Sequence, residues 1–122
     1  MRRSPPRGPV GLHIPWDAAH DVPDLSGADL VVHCAAAVGD PCPGSPAEAA
    51  MRAVNVDGTA RLLRAAAGRS AVWVSSASLY EPGPGRTHIA EDHPIRGHLN
   101  AYGRTKAPHL VPRLLSRVRH GC

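Results

Sequence analysis

The chain has 122 residues, a formal charge of +4, 43% hydrophobic residues and only 3% aromatic ones, with no phenylalanine. That length holds one small domain with a thin, alanine-rich core and excludes two ordinary ones. Three cysteines without a C-x-x-C pair imply neither a disulfide framework nor a zinc ribbon, and no apolar run approaches the ~20 residues of a membrane span.

Residues 1–9 read as a disordered N-terminal segment and 10–120 as one folded unit. The opening "MRRSPPRGPV" is basic but has no apolar stretch to act as a secretion signal, so the expected location is the cytoplasm. Arg2, Arg3 and Arg7 cluster at one end and Arg113, Arg117 and Arg119 at the other, with no aromatic residues interleaved to stack on bases. Nucleic-acid binding is therefore not the expected function.

"VGLHI", residues 10–14, reads as a short strand, and "WDAAHDVPDLSG" as turn and loop. "ADLVVHCAAA" follows, with Leu30, Val31 and Val32 at its centre, and reads as a strand buried on both faces. After "GDPCPG", the trio Ser45, Pro46 and Glu48 forms a capping box with proline at the first helical position. A helix is predicted from there, with Met51, Val54, Leu62 and Leu63 near one face, ending at Gly68. "AVWVSS", residues 71–76, reads as a second buried strand.

Glu81 to His98 contains Pro82, Gly83, Pro84, Gly85, Pro94 and Gly97 and reads as a long loop. Loops of that length inside a compact domain are often functional. His88, His93 and His98 recur along it, but not at a spacing that gathers a metal on a helix or strand, so solvated histidines are expected and no metal site. Helical spacing returns from Leu99 to His120, with Leu110, Leu114 and Val118 four apart. Pro108 and Pro112 predict a break just after Lys106. The alternation of strand and helix predicts an α/β architecture with parallel strands and right-handed crossovers.

Four segments, "DLVVHCAAA", "NVDGTARLL", "VSSASLYEPG" and "AYGRTKA", occur in that order. Together they resemble the extended short-chain dehydrogenase/reductase family, which includes nucleotide-sugar epimerases and dehydratases. The resemblance covers roughly residues 12–118. It implies a cleft lined by His33, Ala35 and Ala36 after one strand. It also places Asn55, Gly58 and Thr59 in an N-x-x-G-T helix, Ser75 and Ser76 ahead of Leu79 and Tyr80, and Glu91 before the Tyr-x-x-x-Lys pair. Ser76, Tyr102 and Lys106 are the implied catalytic residues, although Ser78 is near. Asp17, Ala35, Ala36, Asn55, Tyr102 and Lys106 are the implied contacts to NAD or NADP. Asp17 suits an ordinary loop as well as an adenine contact, and Asn55 suits a helix-bridging amide as well as a cofactor contact.

The chemistry requires such residues. A phenol titrates near ~10 in water, so acid–base work at neutral pH needs a cation beside it. Lys106, four residues after Tyr102, shares its helix face. Ser76 would donate a hydrogen bond to the substrate oxygen whose proton Tyr102 handles. The implied partners are a small-molecule substrate, such as a nucleotide sugar, and a second subunit packed on the helices near 46–67 and 99–119.

One part of the pattern is absent. No glycine-rich turn joins a first strand to a first helix, where backbone N–H groups would receive a pyrophosphate. "GPVGLH" has no room for a preceding strand, and "GPGRTH" sits in the proline-rich loop with no helix opening after it. The expected fold is a partial Rossmann-type doubly wound parallel sheet lacking the first βαβ unit. In the strand order 3-2-1-4-5-6 this leaves an open edge, and a chain that is inactive alone. A non-catalytic remnant that keeps only the helix-pairing surface is the alternative expectation.

Overall fold

A computed structural model describes residues 11–80, 88–90, 92–95 and 99–107. Strand β1 (Leu30–His33) pairs in parallel with β2 (Ser70–Trp73), in the register Leu30↔Ser70 to His33↔Trp73. Between them runs one long helical segment: α1 (Pro46–Arg52), a π-helical stretch (Ala53–Gly58) and α2 (Thr59–Ala65). A short 3₁₀ turn (Ala77–Leu79) follows β2, and α3 (Ala101–Lys106) carries the Tyr-Lys pair.

The predicted start of the long helix is correct, with one difference in its cap. Ser45 Oγ accepts the Glu48 N–H at 3.2 Å, but the Glu48 carboxylate reaches Gly44 N at 2.7 Å rather than closing the box on Ser45. Gly68, at φ +81°, ends the helical segment as expected, because the left-handed conformation there suits only glycine without strain. The π stretch was not foreseen: nothing in the spacing of "AVNVDG" marks an extra residue per turn. Helix α3 stops at Lys106 with Ala107 extended at φ −70°, ψ 132°, the conformation that a following proline imposes. The rest of that expected helix, with Leu110, Leu114, Val118 and the terminal arginines, lies outside the described residues, as do residues 1–9.

Two expectations are corrected. Residues 11–14 form no strand, and Leu12 and Ile14 are 86% and 51% exposed, since among the described residues no neighbouring strand offers them a ladder. Neither strand is buried on both faces: β1 is buried on one, and β2 has no buried residue, only Trp73 being partly covered. In β1, Val31 and His33 point into the protein, whereas Leu30 and Val32 are 56% and 57% exposed. In and after β2, Val72 and Val74 are similarly open. All four lie on the face opposite the helices, because strand side chains alternate.

The core is correspondingly small. Val31, Leu62 and Ala66 form one cluster, with Trp16 and Leu25 against it; Val56 and Ala60 form another beside Leu63. Leu79 is buried under the 3₁₀ turn. Tyr80 bridges to Ile95 in antiparallel fashion and its ring meets His93 edge-on at 6.0 Å, so His93 packs on an aromatic ring instead of standing in solvent.

Candidate active site

The site gathers at the carboxyl ends of the two strands. Lys106 is 2% exposed, and its ammonium donates to Val74 O at 2.8 Å and lies 5.5 Å from the Trp73 ring centroid. Burial lowers its pKa from the ordinary 10.5, with nearby Cys34 acting in the opposite direction. Ser75 ties the same residue from the strand side, its hydroxyl donating to Lys106 O at 2.8 Å. Helix α3 is thereby fastened to the end of β2.

Ser75 and Ser76 play different parts because consecutive extended residues face opposite ways. Ser75 serves the Lys106 backbone. Ser76 Oγ accepts the Ser78 N–H at 3.2 Å and pairs with Ser78 Oγ at 2.8 Å. Tyr102 is half-buried, one turn before Lys106 on α3. Asn100 caps that helix, its Oδ1 accepting Gly103 N–H at 2.7 Å, and Asp40 accepts the Ala101 N–H at 3.3 Å.

The π segment links this site to the loop after β1. Asn55 is 2% exposed; its Oδ1 accepts Ala37 N–H at 2.7 Å, and its Nδ2 donates to Ala37 O at 2.9 Å and Thr105 Oγ1 at 2.8 Å. One carboxamide thus pairs with both backbone groups of Ala37, as a neighbouring strand would, and holds the Ala35–Ala37 loop against α3. Both Nδ2 hydrogens are used, so among the described residues Asn55 acts as a bridge. Thr105 completes it by donating to Tyr102 O at 2.7 Å. Thr105 and Ser75 were not singled out from the sequence; a hydroxyl next to a buried lysine was the available signal.

His33, 3% exposed, lies 2.9 Å from Thr59 Oγ1 through Nε2. The single Thr59 hydroxyl proton goes to Asn55 O at 2.6 Å, so Nε2 must carry the hydrogen toward Thr59. Burial, reinforced by the Lys106 cation, lowers the His33 pKa from 6.5 to about 4, leaving a neutral ring at pH 7.

Asp17 lies in the turn after Trp16. Its Oδ1 accepts Ala19 N–H at 2.9 Å, the largest of the contacts that lower its carboxyl pKa to about 2. The Trp16 indole stands edge-on to His33 at 6.2 Å. A cavity of about 270 Å³ lies between Trp16, Leu25 and the run Val31–Ala35. Three residues of β1 and the two that follow it line the cavity, so it runs along the edge of β1 that is unpaired among the described residues. Asp17 does not line the cavity but shapes the turn beside it. Glu91 and His98 lie outside the described residues.

A parallel β-helix-β unit with serines at the second strand's end and a Tyr-x-x-x-Lys helix fastened to it is the frame of a partial Rossmann-type fold. Residues 15–110 match the NAD dependent epimerase/dehydratase family, and the chain belongs to that family. A solved short-chain dehydrogenase/reductase superfamily protein from Agrobacterium tumefaciens, crystallised with bound NAD, is 32% identical at a TM-score of 0.51. The alignment covers 80% of this chain and 29% of that one, so this chain spans less than a third of that relative's length. No curated protein matches the chain.

The residues present fit one end of such a cofactor. Among the described residues, buried Lys106 has one hydrogen bond for three N–H groups, and the buried Trp73 Nε1 has no partner. Two such donors suit ribose hydroxyls. They do not fit the pyrophosphate, because the helix start after β1 is closed by Ser45 and by Glu48, whose carboxylate already accepts Gly44 N–H. Among the described residues no three His, Cys, Asp or Glu side chains could hold a metal, and no helix is long and apolar enough to cross a membrane.

Proposed function

We propose that this chain carries the acid–base half of an NAD(P)-dependent epimerase, dehydratase or reductase, with Tyr102, Lys106 and Ser76 as its catalytic residues. The observation that supports this most is the fastening of α3 to the end of β2 through Lys106 Nζ to Val74 O and Ser75 Oγ to Lys106 O. That contact brings the Tyr-Lys helix and the serine pair to one edge. The Lys106 charge, one turn from Tyr102, favours the phenolate, so Tyr102 takes or returns the proton of a substrate hydroxyl. Ser76, steadied by Ser78, donates a hydrogen bond to that oxygen. Lys106 and Trp73 hold the nicotinamide ribose, and Ala35 and Ala36 line the approach. Asp17 lies on the adenine side. When bound, the nicotinamide accepts or returns a hydride at the substrate carbon.

The substrate class is a small hydroxyl- or keto-bearing molecule, such as a nucleotide sugar. Helices α1 and α3, stapled by Arg104 to Glu48 at 2.6 Å, offer the surface for a second subunit. The test is made in a chain joined to the glycine-rich βαβ unit of a relative. There Tyr102→Phe should lower turnover about 10²- to 10⁴-fold with little change in cofactor affinity. Lys106→Met should weaken cofactor binding as well and move residual activity to higher pH. Near-parental turnover in Tyr102→Phe, with unchanged pH dependence, removes the enzyme reading and leaves the helix-pairing module.

A further inference from the structure

Arg61, in α2, has no carboxylate partner among the described residues; its charge is spent on backbone carbonyls. Nη2 lies 2.7 Å from Ala18 O, 2.6 Å from Ala19 O and 3.3 Å from Ala53 O. The first two belong to the turn after Trp16, the third to the first residue of the π segment. Helical side chains lean toward their helix N-terminus, which carries the guanidinium back over the widened turn, where carbonyls are displaced from the ordinary ladder. Gly58 makes the approach possible, since a Cβ there would fall far inside contact with Ala18 O. Among the described residues the arrangement leaves the buried Arg61 Nε without a partner, a cost tolerated for the carbonyl contacts.

What Arg61 holds is the piece carrying Trp16 and Asp17. The Trp16 ring meets His33, and His33 is bonded through Thr59 to Asn55 O. The π segment is therefore fastened to three parts of the cleft: to the Trp16 turn by Arg61, and to the Ala37 loop and α3 by Asn55. We propose that Arg61 is a positioning residue that seats the Trp16–Asp21 turn against the carboxyl end of β1 and so sets the adenosine side of the cleft. The assignment rests on the nicotinamide-cofactor reading given above and assigns Arg61 no contact with the cofactor.

The full chain is titrated separately with AMP and with nicotinamide mononucleotide, followed by NMR. Arg61→Met should weaken AMP binding about tenfold and leave nicotinamide mononucleotide unchanged, and Arg61→Lys should recover part of the loss. A purely structural role would weaken both nucleotides together, and that result, or unchanged AMP affinity, overturns the proposal. If neither nucleotide binds the parent chain, the cofactor reading is left to the joined chain described above, and amide exchange decides the role of Arg61. The His20 and Asp21 amides, both bonded to Asp17 O, should lose protection in Arg61→Met while the β2 amides keep theirs. Retained protection overturns the proposal. Should Arg61→Met not fold, Arg61→Lys carries the same comparison, with a smaller loss expected at the same amides.

Discussion

Lowering the pH perturbs His33 more sharply than any other described group between pH 4.5 and 6.5. In the folded chain its pKa is about 4 against 6.5 for a free imidazole, first because it is buried and second because Lys106 is cationic. Between those values the unfolded chain holds a proton that the folded chain refuses, so unfolding takes up protons and stability falls as pH falls. The contribution is complete above pH 6.5 and gone below about 4, and the gap between the two values corresponds to about 3 kcal/mol. The lowered carboxyls act elsewhere: Asp17 and Asp24 below 3.8 and Glu48 below 4.5. Urea unfolding of the full chain, followed by helical circular dichroism at steps from pH 7.5 to 4.5, measures the slope. His33→Gln keeps a donor toward Thr59 but does not titrate, and its stability should be nearly flat over the same range. A flat profile in the parent, or the same slope in His33→Gln, refutes the burial reasoning.

Gly58→Ala should destabilise the chain by about 1–3 kcal/mol, because the new methyl must displace the Ala18 carbonyl and loosen the Arg61 clamp. An unchanged melting temperature contradicts the close approach. Val32→Thr with Val72→Thr acts on the open sheet face, where the two side chains are 57% and 50% exposed. The pair should alter unfolding free energy by less than about 0.5 kcal/mol each and reduce self-association in light scattering. A large loss of stability would mean that the face is covered.

Much of the local structure was legible in the residues alone. Ser45-Pro46 starts a helix because the hydroxyl takes an orphan N–H and proline needs none. Gly68 ends it because glycine tolerates positive φ, and Pro108 ends α3 by forcing Ala107 out of helix. These are effects within a few residues of chain, and the ordered motifs through Tyr102 and Lys106 likewise placed the chain in its family. Tertiary structure decided the rest. The strands looked buried on both faces because an apolar run carries no record of which neighbours are present, and among the described residues only β1 has a buried face. Whether Asn55 would bridge or contact a cofactor depended on Ala37 and Thr105, 18 and 50 residues away. The same holds for Lys106, whose ammonium finds Val74 O and the Trp73 ring, and for His33, whose low pKa arises from burial. Hydrogen-bond partners and dielectric surroundings come from residues distant in sequence, so composition and spacing name the reactive groups, while packing sets their protonation and direction.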